Sequence, residues 1–158
     1  MKNIKIEIKW AIAFAVMTLV WMLLEKLCGL HSTYIDKHAT YTNFIAIPAI
    51  TIYVLALLDK RKNFYNGKMT YQQGLKSGII ITLLYTPLSP VTQAITSLVI
   101  TPEYFPNATN YAINLGMMSE TEAKEYFTLK NYIIQGLIGA PIMGIITTLI
   151  VALFTRKN

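Results

Sequence analysis

The sequence predicts an all-α protein that crosses a membrane four times, and two observations lead to this prediction. The 158 residues are 54% hydrophobic and only 14% charged, whereas soluble domains carry roughly 25% charged residues. The apolar residues are also gathered into four blocks, and a spanning helix needs about 20 mainly apolar residues. We therefore expect one membrane domain over residues 1–158. Its four spans are predicted at about residues 8–27, 41–58, 75–100 and 132–154.

The first span has no polar face, since Thr18 is the only polar residue between Trp10 and Leu24. An amphipathic helix of a soluble protein would alternate polar and apolar faces. Trp10 and Trp21 are placed to mark the two interfacial zones of a bilayer. The block lacks a small-residue cleavage site, so we expect it to be retained as a span rather than removed as a secretory signal.

The second span carries Pro48 one turn inside its outer end, where a kink disturbs the fewest hydrogen bonds. It stops at the charged run DKRK, residues 59–62. Asn66-Gly67 then predicts a turn that leads into the third span.

The third span is interrupted near its centre by Pro87 and Pro90. Proline removes a backbone donor and clashes with the preceding turn, so we expect a helix broken by two prolines near the bilayer midplane. Ser89 is predicted to cap a second half-helix whose first residue is Pro90. The polar residues near the break form the candidate binding site. They are Thr86, Ser89, Thr92 and Gln93, with Gln135 from the fourth span.

These polar side chains admit two interpretations. The favoured one is structural, with the hydroxyl groups bonding the carbonyls freed by the prolines and Gln135 reaching across from the fourth span. The alternative is functional, with the positive end of the half-helix binding an anionic ligand.

Residues 101–131 are too long for a simple loop and predict a small helical cap on the outer face. Thr101 followed by Pro102 predicts one helix start, and Gly116 predicts the end of a short helix at 107–115. Ser119 and Glu122 fit a capping box, and the helical pattern after them continues into the fourth span. Five aromatic residues of the cap are expected against lipid headgroups. They are Tyr104, Phe105, Tyr111, Tyr126 and Phe127.

Small residues recur every four positions in the third and fourth spans. Such ridges allow two helix backbones to approach closely in lipid, and packing within one bundle is favoured over a dimer contact. The residues predicted to pack are Gly74, Gly78, Gly136, Ala140 and Gly144.

The basic residues predict that both termini face the cytoplasm. Ten of the 14 lie in the N-terminus, the second connection and the C-terminus, and four lie in the other two connections. Nucleic-acid binding is not expected, because the charged run at 59–62 is typical of an orientation signal that touches anionic lipid. The ten residues are Lys2, Lys5, Lys9, Lys60, Arg61, Lys62, Lys68, Lys76, Arg156 and Lys157.

No catalytic residue, metal site or cofactor is predicted. Glu25, His31, Asp36 and His38 raise a metal hypothesis, but no tight histidine spacing supports it. Interfacial hydrogen bonding is favoured for them, with Glu25 paired to Lys26 or to a residue of the cap. Motifs of nucleophilic, phosphate-binding and zinc-dependent enzymes do not occur, so we expect the protein not to be an enzyme.

Several stretches resemble a family of small bacterial four-helix membrane proteins described as a domain of unknown function. They are WMLLEKLCGLHSTYID, TYTNFIAIPAI, YNGKMTYQQGLKSG, SPVTQ, ITPEYF, AKEYFTLKNYIIQ and GAPIMGIITTLIVALF. The likeness runs along nearly the whole chain in the same order. It implies the inner (cytoplasmic) membrane of a Gram-negative bacterium, and it brings no activity, substrate or catalytic residue.

Our first functional hypothesis is a non-enzymatic scaffold or accessory subunit, with the lipid bilayer and a second copy or another membrane protein as partners. The alternative is a carrier or channel-like unit for a small solute, organised around Pro87 and Pro90. A third hypothesis, a lipid-interacting protein, requires a groove that opens sideways to the bilayer near the break. Ser89 and Gln93 discriminate between the first two hypotheses: a water-reachable cavity lined by them would favour the carrier, whereas burial with hydrogen bonds to the fourth span would favour the scaffold.

Overall fold

The computed structural model describes residues 4–157 and confirms an all-α protein with four helices long and apolar enough to span a membrane. Residues 1–3, among them Lys2, and residue 158 lie outside the described part of the chain. The four spans are Lys5–Leu27, Ile35–Asn63, Tyr71–Ile100 and Leu129–Thr155.

The first and last spans are single helices, α1 (Lys5–Leu27) and α8 (Leu129–Thr155). The second span is built from α2 (Ile35–Tyr41), a 3-10 turn and α3 (Ala46–Asn63). The third consists of α4 (Tyr71–Tyr85), a 3-10 turn at Thr86–Leu88, α5 (Ser89–Ile95) and a π-helical turn at Thr96–Ile100. Between the third and fourth spans lie α6 (Tyr104–Asn114) and α7 (Glu120–Tyr126).

The bundle has two distinct ends. At the terminal end, Met69 pairs with Lys157 in an isolated antiparallel bridge, so the α3–α4 connection meets the last residues of the chain. At the cap end, the link 28–34 and α6 meet, because the Asn107 amide donates to the His31 carbonyl at 2.9 Å. Large apolar side chains such as Leu98, Val99 and Phe154 remain 65–82% exposed on the outside of the bundle, as expected for surfaces that face lipid.

The third span stays helical through both prolines. Ser89 has helical dihedrals (φ −60°, ψ −38°), and the N-cap of α5 is Leu88, which makes no side-chain capping bond. The predicted N-cap at Ser89 is therefore wrong. The reason is local hydrogen bonding: the carbonyl of Thr86, four residues before Pro90, accepts a bond from Ser89 Oγ at 2.8 Å, so the helix continues without an unsatisfied carbonyl at this position.

Glycines bring α4 and α8 into close contact in the terminal half of the bundle. A Cβ atom built on Gly78 would lie 2.3 Å from Thr148 Cγ2, and one on Gly144 would lie 2.6 Å from both Thr82 Cγ2 and Thr82 Oγ1. Gly74 faces Ala152 in the same way, with 3.4 Å between the added Cβ and the alanine Cβ. The predicted small residues of α4 and of the second half of α8 therefore lie in a contact within one chain.

The terminal end contains a buried pair of opposite charges, Glu7 and Lys60. Glu7 and Lys60 are 1% and 3% exposed, and Lys60 Nζ lies 2.8 Å from Glu7 Oε1. Ser77 Oγ donates to the same carboxylate oxygen at 2.8 Å. Lys60, expected to touch anionic lipid, instead joins α3 to α1 inside the bundle.

The cap differs from the prediction at two helix boundaries. Helix α6 begins at Tyr104 with Glu103 as N-cap, so the predicted N-cap at Thr101 is wrong. Thr101 instead ends the preceding π-helical turn, because its N–H donates to the Thr96 carbonyl at 2.8 Å. The capping box at Ser119 forms, but α7 ends at Tyr126 rather than continuing. A second N-cap, in which Thr128 Oγ1 accepts from the Asn131 N–H at 3.3 Å, starts α8.

Candidate functional site

A cavity of about 560 Å³ lies between the four spans. It is lined by Phe14, Thr18 and Met22 of α1, by the start of α3, by α5 and by the first half of α8. One lining residue, Tyr53, is hydrogen-bonded through its hydroxyl to that of Thr82 at 2.7 Å. Its volume falls in the range of about 300–1,000 Å³ that is usual for small-molecule sites.

Four of the five predicted binding residues line this cavity: Ser89, Thr92, Gln93 and Gln135. Ser89 and Thr92 are each 6% exposed, and their hydroxyls donate to backbone carbonyls one turn back, at 2.8 and 2.9 Å. Gln93 Nε2 donates to Ser97 Oγ at 2.9 Å, so the amide oxygen remains available as an acceptor. Together these groups form a narrow polar strip on an otherwise apolar wall.

The remaining predicted residues behave differently. Thr86 does not line the cavity, and its hydroxyl donates to the Thr82 carbonyl at 2.9 Å. Gln135 is exposed at the cavity rim and makes no hydrogen bond to the third span, all of which is described. The expected bond from Gln135 to the carbonyls freed by the prolines is therefore wrong, because Ser89 already occupies the Thr86 carbonyl.

The first half of α8 contributes space rather than close contact. No atom lies within 4 Å of a Cβ built on Gly139, and the nearest to one on Gly136 is Ser89 Oγ at 3.8 Å. Gly136, Gly139 and Ala140 all line the cavity. The small-residue pattern thus divides into two parts, since Gly144 packs against α4 whereas the residues before it leave a crevice between α8 and its neighbours.

The cavity opens sideways between α3 and α8. Two of its lining residues, Ile50 of α3 and Met143 of α8, are 47% and 60% exposed on the outer surface of the bundle. Asn43, Ala46 and Gln135 are also exposed lining residues on these two sides. The lipid-interacting hypothesis requires an opening of this kind, on the side of the bundle and near the two prolines.

A second cavity of about 170 Å³ continues the first toward the cap end. Four residues line both: Met22, Gln93, Thr96 and Tyr132. The smaller cavity reaches Thr101 and Tyr104 and ends at two histidines, His31 and His38.

Glu25 lies beside these histidines and not beside its neighbour Lys26. Its Oε2 atom is 3.0 Å from His31 Nε2, and its Oε1 atom accepts a hydrogen bond from Trp21 Nε1. Lys26 turns instead to the Ile100 carbonyl and to Glu103 Oε1, at 3.6 Å from the latter. The expected pairing of Glu25 with Lys26 is therefore wrong, whereas its contact with the histidines agrees with interfacial hydrogen bonding.

Tyr104 packs inward, where headgroup contact was expected. Its ring lies 5.2 Å from that of His31 and 4.9 Å from that of His38, and its hydroxyl is 3.1 Å from that of Tyr132. Burial raises the pKa of the Tyr104 hydroxyl above its usual value of 10.0, so this phenol stays protonated. Sequence spacing carried no signal for this aromatic cluster, because its members come from the link, α2, α6 and α8.

The chain was also compared with known proteins. A family model described as Protein of unknown function (DUF4199) matches residues 9–157, nearly the whole chain. This match agrees with the resemblance to a family of unknown function noted in the sequence. The comparisons with curated proteins and with solved structures give no match.

Proposed function

The chain belongs to the family described as Protein of unknown function (DUF4199), and from this premise we propose that it is a non-enzymatic membrane protein that binds one lipid molecule in the cavity between α3 and α8. The observation that supports the proposal is the combination of an apolar cavity with a sideways opening. An acyl chain that enters from the bilayer would pass Ile50 and Met143 without crossing water.

The interior of the cavity matches an amphiphilic molecule. Phe14, Met22 and Ile45 offer apolar contact, and the polar strip on α5 offers the Gln93 amide oxygen to a hydroxyl or amine group. Within the described chain, the residues that line this cavity include no carboxylate, lysine, cysteine or histidine. We therefore assign it a binding role with no catalytic step.

Tyr53 and Gly144 line the cavity, and both contact Thr82 of α4, so that α3, α4 and α8 are joined on its terminal side. This arrangement favours retention of a bound molecule over passage through the bundle, so a carrier is the weaker proposal. A scaffold or accessory role is compatible with a retained lipid, and the exposed faces would contact a second copy or another membrane protein.

The proposal includes the inner (cytoplasmic) membrane as location, with both termini in the cytoplasm. The support is the distribution of basic residues, since Lys5, Arg61 and Lys157 all lie at the terminal end. A reporter fused after residue 158 should be active in the cytoplasm. Activity only on the opposite side would refute this orientation.

Native mass spectrometry of the full chain, released from nanodiscs of phosphatidylethanolamine and phosphatidylglycerol, tests the lipid-binding proposal. We expect the wild-type chain to retain one phospholipid. Gly139→Phe should abolish retention, because a side chain at this position points into open cavity space. The matched control is Ile138→Phe, since the neighbouring Ile138 is 58% exposed and does not line the cavity.

Three outcomes would count against lipid binding. A wild-type chain without lipid would favour the scaffold hypothesis, and the same spectra would report its copy number. Equal retention by Gly139→Phe and wild type would place any lipid outside the cavity. Loss of lipid from both variants would mean that a bulky residue anywhere on this part of α8 prevents lipid retention, so the loss would not locate the lipid in the cavity.

A further inference from the structure

Three side chains from separate elements converge at the cap end of the bundle. They are Glu25 near the end of α1, His31 in the link 28–34 and His38 in α2. The side chains of Glu25 and His31 are each 2% exposed, and that of His38 is 18% exposed. One potential ligand atom from each lies within 4.8 Å of the other two.

Hydrogen bonding alone leaves this cluster incomplete. The contact of 3.0 Å between Glu25 Oε2 and His31 Nε2 is a hydrogen bond, but His38 Nδ1 lies 3.6 Å from the same oxygen, too far for one. His38 Nδ1, the atom that faces Glu25, is buried without a hydrogen-bond partner in the structure. Buried polar atoms that lack partners are rare and call for a water or an ion.

The spacing of the ligand atoms fits a transition metal. Zinc binds imidazole nitrogen at about 2.0–2.1 Å and carboxylate oxygen at about 2.0–2.2 Å, which in a tetrahedron separates neighbouring ligand atoms by roughly 3.3 Å. The two distances from Glu25 Oε2, 3.0 Å and 3.6 Å, lie on either side of that value. A cation between the three atoms would therefore require small movements of side chains.

The surroundings hold the ligands in position. Trp21 Nε1 donates to Glu25 Oε1, which leaves Oε2 turned toward the histidines. Asn107 Nδ2 donates to the His31 carbonyl at 2.9 Å and fixes the link to α6. A ligating carboxylate is usually oriented by an outer hydrogen bond of the kind that Trp21 makes to Glu25.

We propose that Glu25, His31 and His38 bind a divalent transition metal ion, with zinc as the best match. Two imidazoles and one carboxylate suit zinc, whereas calcium and magnesium prefer an all-oxygen set. Three protein ligands leave a fourth position open. The smaller cavity beside the histidines has room for a water at that position, and the buried hydroxyl of Thr101, which lines this cavity, has no partner in the structure.

The test uses the full chain, purified in mild detergent without a histidine tag and treated with a chelator. Isothermal titration calorimetry with Zn²⁺ should show one binding site per chain. Co²⁺ should give the strong visible absorption of a tetrahedral complex, and added Zn²⁺ should displace it and remove the absorption. Mg²⁺ should give no heat of binding. This readout does not depend on lipid, so it can fail while the lipid-binding proposal survives.

Substitutions identify the ligands. His38→Phe keeps an aromatic ring against Tyr104, and Glu25→Gln keeps the size of the side chain. Each variant should weaken Zn²⁺ binding by about 100-fold or more. Loss of a residue that only supports a ligand typically weakens metal binding by about 10- to 100-fold. The matched control is Asp36→Asn, because Asp36 is an exposed acid in the same helix α2 and lies outside the cluster. It should bind Zn²⁺ as wild type does.

The proposal is overturned if the folded wild-type chain binds no Zn²⁺, or if Asp36→Asn weakens binding as much as the cluster variants. It is also overturned if His38→Phe binds as tightly as wild type while Co²⁺ shows no tetrahedral spectrum. Circular dichroism checks that each variant is folded, and the Co²⁺ spectrum of the wild type decides the matter even if a variant fails to fold.

Discussion

Gly78→Ala provides a direct test of the contact between α4 and α8. The added Cβ would lie 2.3 Å from Thr148 Cγ2 and 2.6 Å from Thr148 Oγ1, whereas unstrained carbon contacts are about 3.5–4.0 Å. Thr148 cannot simply rotate away without loss, because its hydroxyl donates to the Gly144 carbonyl at 2.7 Å. The two helices must therefore separate, or Thr148 must adopt a poorer rotamer.

The expected magnitude follows from two opposing effects. Overpacking a tight contact costs about 1–3 kcal/mol, and replacing glycine by alanine within a helix recovers about 0.5–1 kcal/mol. The clash at Gly78 is with a β-branched side chain held by a hydrogen bond, so we expect a cost near the upper limit. The free energy of unfolding should fall by about 2 kcal/mol. The free energy of unfolding should be measured by reversible titration with sodium dodecyl sulfate in mixed micelles.

Two further variants make the experiment specific. Gly139→Ala is the control, since no atom lies within 4 Å of its added Cβ, and it should be neutral or stabilising by up to about 1 kcal/mol. Adding Thr148→Ala to Gly78→Ala removes two of the three clashing atoms and leaves only Cβ, at 3.0 Å. The double variant should therefore show a favourable coupling of about 1 kcal/mol. Equal stability of Gly78→Ala and Gly139→Ala would refute the reasoning.

Two other predictions concern charged groups. Glu7→Gln removes the anion that lies 2.8 Å from buried Lys60 and should lower the free energy of unfolding by about 3–5 kcal/mol in the same assay. The control, Glu120→Gln, lies at an exposed site and should change it by less than about 0.5 kcal/mol. Similar values for both variants would contradict the burial of the pair. Hydrogen bonds from the side chain and backbone of Ser119 lower the pKa of Glu122 below its usual 4.5, so its support of α7 is complete above that pH and is lost as the pH falls through the lowered pKa. Carboxyl NMR titration should show this pKa rising toward 4.5 in Ser119→Ala, and an unchanged or lower pKa would show that the capping box is not its cause.

The number and kind of spanning helices could be predicted from the sequence because the information is local. A run of about 20 apolar residues has few stable alternatives to a helix in lipid, where every backbone polar group must be bonded within the segment. The capping signal at Ser119 and Glu122 is equally local, since both partners lie within one turn. Three of the five candidate binding residues, Ser89, Thr92 and Gln93, line the cavity together because residues one turn apart on α5 share a face, and Gln135 lines it from α8.

Local signals failed where two of them competed. Ser89-Pro90 has the composition of a helix start, yet the hydroxyl of Ser89 bonds the Thr86 carbonyl and the helix continues. The helix start predicted from Thr101-Pro102 is wrong for a related reason, because the Thr101 N–H ends the π-helical turn of the preceding span. A short sequence motif indicates which hydrogen bonds a residue is able to make. The neighbouring turns determine which of these hydrogen bonds form.

The sequence by itself determined the four apolar helices long enough to span a membrane and four of the residues that line the cavity, since each depends on hydrophobicity and spacing within one segment. Only the tertiary structure decided that Glu25, His31 and His38 meet, that Glu7 and Lys60 are buried together, and that one small-residue pattern both packs against α4 and leaves a cavity. These features depend on the distance between segments far apart in the chain, and that distance is set by how side chains from different helices fit against one another.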